Sequence, residues 1–342
     1  MQWLYRIFKV VLRKKLRTDK EHLVMKIGKV SEPILKRSVL KYIKPNNEYV
    51  QKGAAVGADC ALFHKENKTV ATATASVSGE KGNLPVAHAI LRAVNNLAAG
   101  RAVPFAVQIH IMLPERCREI ALKRMMEAAS ETVSQLQITI SGGHTEVLPD
   151  IQTPIVSTTA LGYVESDVSE AKIMPGQEIV MTKWIGISET ARLAREKEEE
   201  LLSRYPLFFI KSAQNLEQYY SILPEAATAI KSGISTMHDV AGGGIFGALW
   251  ELGEQAGVGL QVHLKKIPIK QETVEICEFL GYNPYEMRSD GALLLVTNEG
   301  HTLVEALAQE GIAAEVIGMI TDGNDKVILN DEEKRYLEPP RK

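Results

Sequence analysis

The stretch Met237-His238-Asp239-Val240-Ala241-Gly242-Gly243-Gly244-Ile245-Phe246-Gly247 combines an imidazole, a carboxylate and three consecutive glycines, and it opens into an apolar helical run from Ile245 to Leu252. Glycine has no Cβ, so such a turn can take positive φ angles and bring backbone N–H groups close to a ligand. A helix start just behind adds the unpaired N–H donors of its first turn and the positive end of the helix dipole, which together suit phosphate. The plainer reading is a tight connection between a strand and a helix.

A chain must hold such a turn on regular elements, and hydrophobic periodicity predicts them. In the first half, residues 31–43 read as a helix capped by Ser31, followed by strands at 56–63 and 69–77. A helix at 84–99 carries Val86, Ile90, Val94 and Leu97 on one face. A strand at 105–113, a long helix at 115–136 and a short strand at 138–140 come next; that last strand runs into a turn over Ser141–Val147. A strand at 155–164 closes the half. The second half alternates similarly, with a charged helix from Glu189 to about Tyr205, a strand at 235–240 and a helix at 244–256 behind the glycines. The expected fold class is α/β, in α+β layers. Boundaries fall at 1–24 for a basic N-terminal extension, 25–165 for an N-terminal domain and 166–342 for a C-terminal domain.

Composition narrows the function. At 342 residues, with 45% hydrophobic and 24% charged residues, this is an ordinary globular composition with room for two cores. A net charge of -2 argues against nucleic-acid binding through the overall field. Cys60, Cys117 and Cys277 form no CxxC pair, which points to a reducing, cytoplasmic setting rather than a disulfide framework or a structural zinc. No apolar run is long enough to span a membrane. The amphipathic, basic start through Arg17 reads as a segment upstream of a domain that begins at Met25, or as a short docked helix, in preference to a membrane-surface contact through residues 1–17.

The motifs GADCA (57–61), VNNLAAG (94–100), SGGHTEV (141–147), LGYV (161–164), MPGQEIVMTK (174–183), MHDVAGGGIFGAL (237–249) and SDGALLLV (289–296) follow one another in an order that resembles the aminoimidazole-ribonucleotide synthetase, or PurM-like, superfamily. Within it the chain resembles the AIR-synthase-related proteins similar to HypE, the hydrogenase-maturation carbamoyl dehydratase. The resemblance covers nearly everything from Met25 onward. It implies a two-domain fold, a homodimer in which N-terminal domains pair sheets, and ATP with Mg²⁺ in a cleft. Family enzymes use ATP to activate a carbonyl-type oxygen as a phosphate ester. Selenophosphate synthetase and thiamine-phosphate kinase share the superfamily but run other phosphoryl chemistry, so fold does not fix the substrate.

Carried over residue by residue, the resemblance implies a depleted metal set. Asp59 keeps the acidic residue of the first motif, but positions that are commonly acidic in relatives read Ala58, Ala75 and Asn96. The Asn96 amide can coordinate Mg²⁺ or orient water, but it brings no negative charge. Asp59 and Glu146 remain as metal candidates, with Asp239 beside them; Glu80 and Asp150 are candidate substitutes. Gly142, Gly143, Thr145 and Glu146 read as lining of the nucleotide cleft, together with Asp59, Asn96, Asp239, Gly242, Gly243 and Gly244. His144 reads as a hydrogen-bond donor or proton carrier in that cleft, and with Asp59 forms the catalytic candidates; the alternative is a turn histidine held by local backbone. Asp239 reads as a metal or water ligand, or as the cap of the glycine turn. Lys52 and Lys183 read as surface charges or phosphate contacts. HypE-type dehydratases carry a terminal cysteine, whereas this sequence ends Leu337-Glu338-Pro339-Pro340-Arg341-Lys342, and its last cysteine, Cys277, reads as a buried small hydrophobe. The expectation is therefore an ATP-binding protein with weakened or divergent phosphoryl transfer. The alternatives are an active ATP-dependent ligase or dehydratase and a non-catalytic regulatory protein with a protein partner.

Overall fold

The computed structural model describes residues 30–44, 48–66, 68–80, 82, 84–164 and 172–339. The extension 1–24 and the domain start at Met25 lie outside them. The first half is a six-stranded sheet of β1 (Val50–Lys52), β2 (Ala61–Lys65), β3 (Lys68–Ser78), β4 (Ala102–Pro114), β5 (Thr139–Leu148) and β6 (Ile155–Val164), in the order β1-β2-β3-β6-β4-β5. Only β4 and β5 run parallel. The accompanying helices are α1 (Glu32–Ser38), α2 (Leu84–Ala99) and α3 (Glu119–Gln135). Side chains alternate across a strand, so Ala71, Ala73 and Val77 of β3 join Val86, Ile90, Val94 and Leu97 of α2 in one core. Thr74 and Ser76 point to the opposite face, where they pair with Thr159 and Ser157 at 2.9 and 3.0 Å. Among the described residues no helix covers that face.

The second half is a seven-stranded sheet in the order β13-β12-β9-β11-β7-β10-β8. Its strands are β7 (Glu178–Thr182), β8 (Thr236–Asp239), β9 (Gly259–His263), β10 (Leu293–Thr297), β11 (Ala314–Thr321), β12 (Lys326–Asn330) and β13 (Glu333–Tyr336). Helices α4 (Ile187–Glu196), α5 (Glu198–Leu201), α6 (Leu207–Gln214), α7 (Leu223–Lys231), α8 (Gly244–Ala256), α9 (Gln271–Leu280) and α10 (Gly300–Gln309) accompany it. Strand β10, next to the β8 edge, is apolar on both sides: Leu294 and Val296 enter one core, while Leu293 and Leu295 enter another. A strand read as continuously hydrophobic is one covered on both faces. No helix among the described residues is long and apolar enough to cross a membrane.

The halves are joined by buried polar clamps. The Asn95 amide donates to the Tyr220 carbonyl at 2.7 Å and accepts from the Ile222 N–H at 3.1 Å. Arg101 donates to the carbonyls of Ile234 and Ser235 at 2.8 and 2.6 Å. Ala98 and Ala99 of α2 share a core with α7 and β10.

Several predicted elements differ. The helix expected over 31–43 is α1 plus a 3-10 turn, and Ser31 occupies its N-cap position without a side-chain bond. The charged helix from Glu189 breaks at Lys197. The long helix of the first half begins at Glu119, four residues past the expected start. Strands β1, β12 and β13 and helix α6 carry no periodic signal strong enough to be read from sequence.

Candidate functional site at the domain junction

Strand β8 delivers His238 and Asp239 to the junction, and the loop before β2 brings Asp59 to meet them. His238 Nδ1 lies 3.0 Å from Asp59 Oδ2, and its Nε2 lies 3.5 Å from Glu251 Oε2. Burial disfavours a charged imidazole, but the two flanking carboxylates outweigh it and push His238 up to about 10. Asp59 is therefore held by an imidazolium.

Asp239 and Asp290 are 4% and 2% exposed, and Asp239 Oδ1 and Asp290 Oδ2 have no hydrogen-bond partner among the described residues. Burial, reinforced by Asp290 and Asp59, raises the Asp239 carboxyl well above the usual range. Asp290 goes the other way. Burial opposes its charge, but Arg92 at 3.2 Å, Arg288 at 3.8 Å and the Ser188 hydroxyl hold it below the ordinary value. Two neighbouring carboxyls are thus shifted in opposite directions.

The glycine turn forms where expected. Gly243 has φ +104° and occupies the N-cap of α8, and Gly244 has φ +64°. A Cβ on Gly244 would lie 2.4 Å from the Tyr285 carbonyl oxygen, so the turn closes against the segment before β10 and only glycine fits. No side chain caps α8, so Asp239 is not its cap. Some of the donors a phosphate would use are already engaged: Gly244 N–H bonds Ala241 O and Phe246 N–H bonds Tyr285 O, both at 3.3 Å. The Arg288 guanidinium reaches the turn, with Nη2 3.4 Å from where a Cβ on Gly242 would stand.

Arg288 also lines a polar cavity of about 360 Å³ between the halves, with Ser78, Glu80, His88 and Arg92 on one side and Ser188, Arg192 and Tyr220 on the other. Glu80, Glu189 and Glu196 line it too; Arg192 is ion-paired with Glu189 and Glu196 and Arg92 with Asp290, so an anion there would be met chiefly by Arg288.

The Gly-Gly-His-Thr-Glu sequence is not a turn. It is the middle of β5, an extended edge strand parallel to β4. Gly143 has φ +157°, and a Cβ there would fall 1.8 Å from Ile109 O, so the glycine permits a close backbone approach rather than a reversal. His144 is thus a strand residue, registered against His110 of β4, and not a turn histidine held by local backbone. Glu146 pairs with His110, Nε2 to Oε1 at 3.1 Å, and with His144, Nε2 to Oε2 at 4.0 Å.

The predicted residues therefore divide into two groups. Asp59, Asp239 and Gly242–Gly244 meet at the junction, whereas Gly142–Glu146 line β5. Asp59 is paired with His238 and Glu146 with two histidines, so these carboxylates serve different clusters. Asn96 sits half-buried on α2 beside Asn95, the residue that carries the clamp. Ala75 packs against the first core. Glu80 is engaged by His88 at 2.6 Å, and Asp150 is exposed in the turn after β5. Lys183 is neither a surface charge nor a phosphate contact: it is buried, ion-paired with Glu225, and donates to the carbonyls of Tyr219 and Ser221. Cys277 is buried against Met287, and burial pushes its thiol up to about 12, as suits a core residue. Sequence reading missed Arg92, Arg288 and His110. Asp290 stood inside the quoted SDGALLLV motif, and the alternation of β4 would have placed His110 on the open face.

Two mixed sheets with their motif-bearing ends joined through a polar junction define the two-domain PurM-like class of α/β protein. The chain belongs to the AIR synthase related proteins: the family's N-terminal domain model matches residues 57–164 and its C-terminal domain model matches residues 174–330. It is 26% identical over 247 residues to a hydrogenase expression/formation protein of Methanocaldococcus jannaschii, covering 70% of this chain and 71% of that one. Its fold is similar to that of HypE in a HypE–HypF complex, with TM-score 0.74 and 20% identity over 90% of this chain and 99% of that one. It is also similar to HypE in complex with ATP, with TM-score 0.68 and 17% identity over 93% of this chain and 97% of that one.

Proposed function

We propose that this protein binds a nucleotide through its phosphates at the domain junction, as an ATP-binding HypE-like protein with weakened or divergent phosphoryl transfer. Arg288, which lines the cavity and reaches the glycine turn, supports the phosphate site, and the shared fold with HypE in complex with ATP supports the choice of nucleotide. One observation carries the weakened chemistry. Asp59, the surviving carboxylate of the first motif, is held at 3.0 Å by a protonated His238, while positions 58, 75 and 96 bring no charge. The residues at the junction fit a resident Mg²⁺ poorly. Such an ion is held by ionised oxygens, whereas burial and the neighbouring carboxylates disfavour the charged form of Asp239, and Asp59 is engaged by His238.

The helix-free face of the first sheet supports a homodimer through paired N-terminal sheets, and the HypE–HypF complex supports a protein partner for this chain. Calorimetry with ATP, with and without Mg²⁺, followed by an ADP-release assay, separates binding from turnover. ATP is expected to bind and ADP to form slowly, with Arg288→Ala weakening binding. Multiple turnovers abolished by Asp59→Asn would overturn the weakened reading, and no detectable ATP binding would overturn the nucleotide reading altogether.

A further inference from the structure

The cluster on the open face of the first sheet has a chemistry of its own. His110 and His144 are direct register partners on the parallel strands β4 and β5. Glu146 follows His144 by two residues, so the period of a strand places it on the same face. Both Nε2 atoms face its carboxylate, one toward each oxygen, at 3.1 and 4.0 Å. One ligand atom from each of the three residues lies within 4.8 Å of the others. Two ligands of a tetrahedral zinc at the usual bond lengths stand about 3.3 Å apart. A contraction of up to about 1.5 Å by these side chains therefore closes the set, and their partial exposure in the single chain leaves room to make it.

We propose that His110, His144 and Glu146 form a binding site for a borderline divalent cation of the zinc class. Two imidazoles and one carboxylate favour Zn²⁺, Co²⁺ or Ni²⁺ over Mg²⁺ or Ca²⁺, which take oxygen ligands. Three protein ligands leave a fourth position for water or an exogenous ligand, the pattern of open rather than structural zinc sites. A cross-strand ion pair alone needs one histidine; here two imidazoles bracket a single carboxylate. The site does not rest on the nucleotide reading. It lies on the sheet face away from the α2 core, and it is tested without nucleotide.

The test uses the full chain stripped with a chelator and then titrated with ZnCl₂ by calorimetry and with CoCl₂ by visible absorption. One equivalent of Zn²⁺ is expected to bind, Co²⁺ to give the intense bands of a low-coordinate site, and millimolar MgCl₂ to leave both unchanged. His110→Ala, His144→Ala and Glu146→Gln should each weaken Zn²⁺ binding at least about tenfold, while His301→Ala, an exposed histidine on α10, leaves it unchanged. Far-UV circular dichroism checks that the variants fold. Imidazole proton shifts on zinc addition to the unmodified chain provide a second readout that needs no variant. Unchanged zinc affinity in the three variants, the weak spectrum of aqueous cobalt, or displacement by MgCl₂ would each overturn the proposal.

Discussion

At the scale of single residues, His238 governs the junction through its charge. Folded, it holds its proton to about pH 10; unfolded, an imidazole releases it near 6.5. A group whose folded pKa is raised stabilises fully below its unfolded value and loses that contribution as pH rises through the folded one. Stability should therefore decline between pH 6.5 and 10 by an amount of order a few kcal/mol. Thermal unfolding across that range should show the decline, and His238→Gln should flatten it. Asp239 has the same sign with the opposite consequence at neutrality. Its folded pKa is raised, so its burial favours the protonated form and costs stability as pH rises above about 3.8, where the unfolded chain ionises. Asp239→Asn keeps the shape and removes that cost, so the variant should melt higher than the parent at pH 7 and show no gain at pH 3. An equal or lower melting temperature at pH 7 would mean that this carboxyl is ionised in the fold.

At the scale of elements, strand β5 and helix α2 carry constraints with readable costs. Gly143→Ala sets a Cβ against Ile109 O, so β5 must shift on β4, at a cost of about 2–4 kcal/mol. Denaturant unfolding checks the loss. The Asn95 clamp is the counterpart on α2. Asn95→Ala leaves the Tyr220 carbonyl and the Ile222 N–H buried without partners, which should cost about 2–4 kcal/mol. Asn95→Asp should rescue at most the acceptor half. Strand β6 and helices α2 and α8 were legible because their periodicities are strong: Ile155–Val164, Leu84–Ala99 and Gly244–Ala256 stand where the pattern puts them. The role of Gly142-Gly143 was not legible, because a glycine pair signals a turn or a close approach with the same letters. Asn95 and Asn96 differ by one residue and by a hundred degrees around α2, and that angle separates a clamp from a half-buried amide.

At the scale of the whole molecule, motif order was legible and partnership was not. The motifs at 57–61, 237–249 and 289–296 do converge, and Asp59 with His238 shows how distant segments meet. Which carboxylate would be neutralised by which cation depends on the junction itself, where Arg92 and Arg288 stand just outside the motifs at 94–100 and 289–296. The open face with Thr74, Ser76, Ser157 and Thr159 is polar yet extended, and it is the surface proposed to pair with a second copy. Thr159→Arg places a charge at its centre and should shift the protein from dimer to monomer in light scattering after gel filtration. A dimer of unchanged mass would place the contact elsewhere.

The burial of Cys60 makes it a clock. It follows Asp59 directly, its thiol packs under Gly100 at the end of α2, and it is 6% exposed, whereas Cys117 is half-buried beside α3. In the Cys277→Ala variant, which removes the other buried thiol, a maleimide reagent should modify Cys117 promptly and reach Cys60 only when the loop before β2 lifts away. The slow phase of labelling then times how often the loop that carries Asp59 opens, and any molecule that seats itself against that loop should lengthen it.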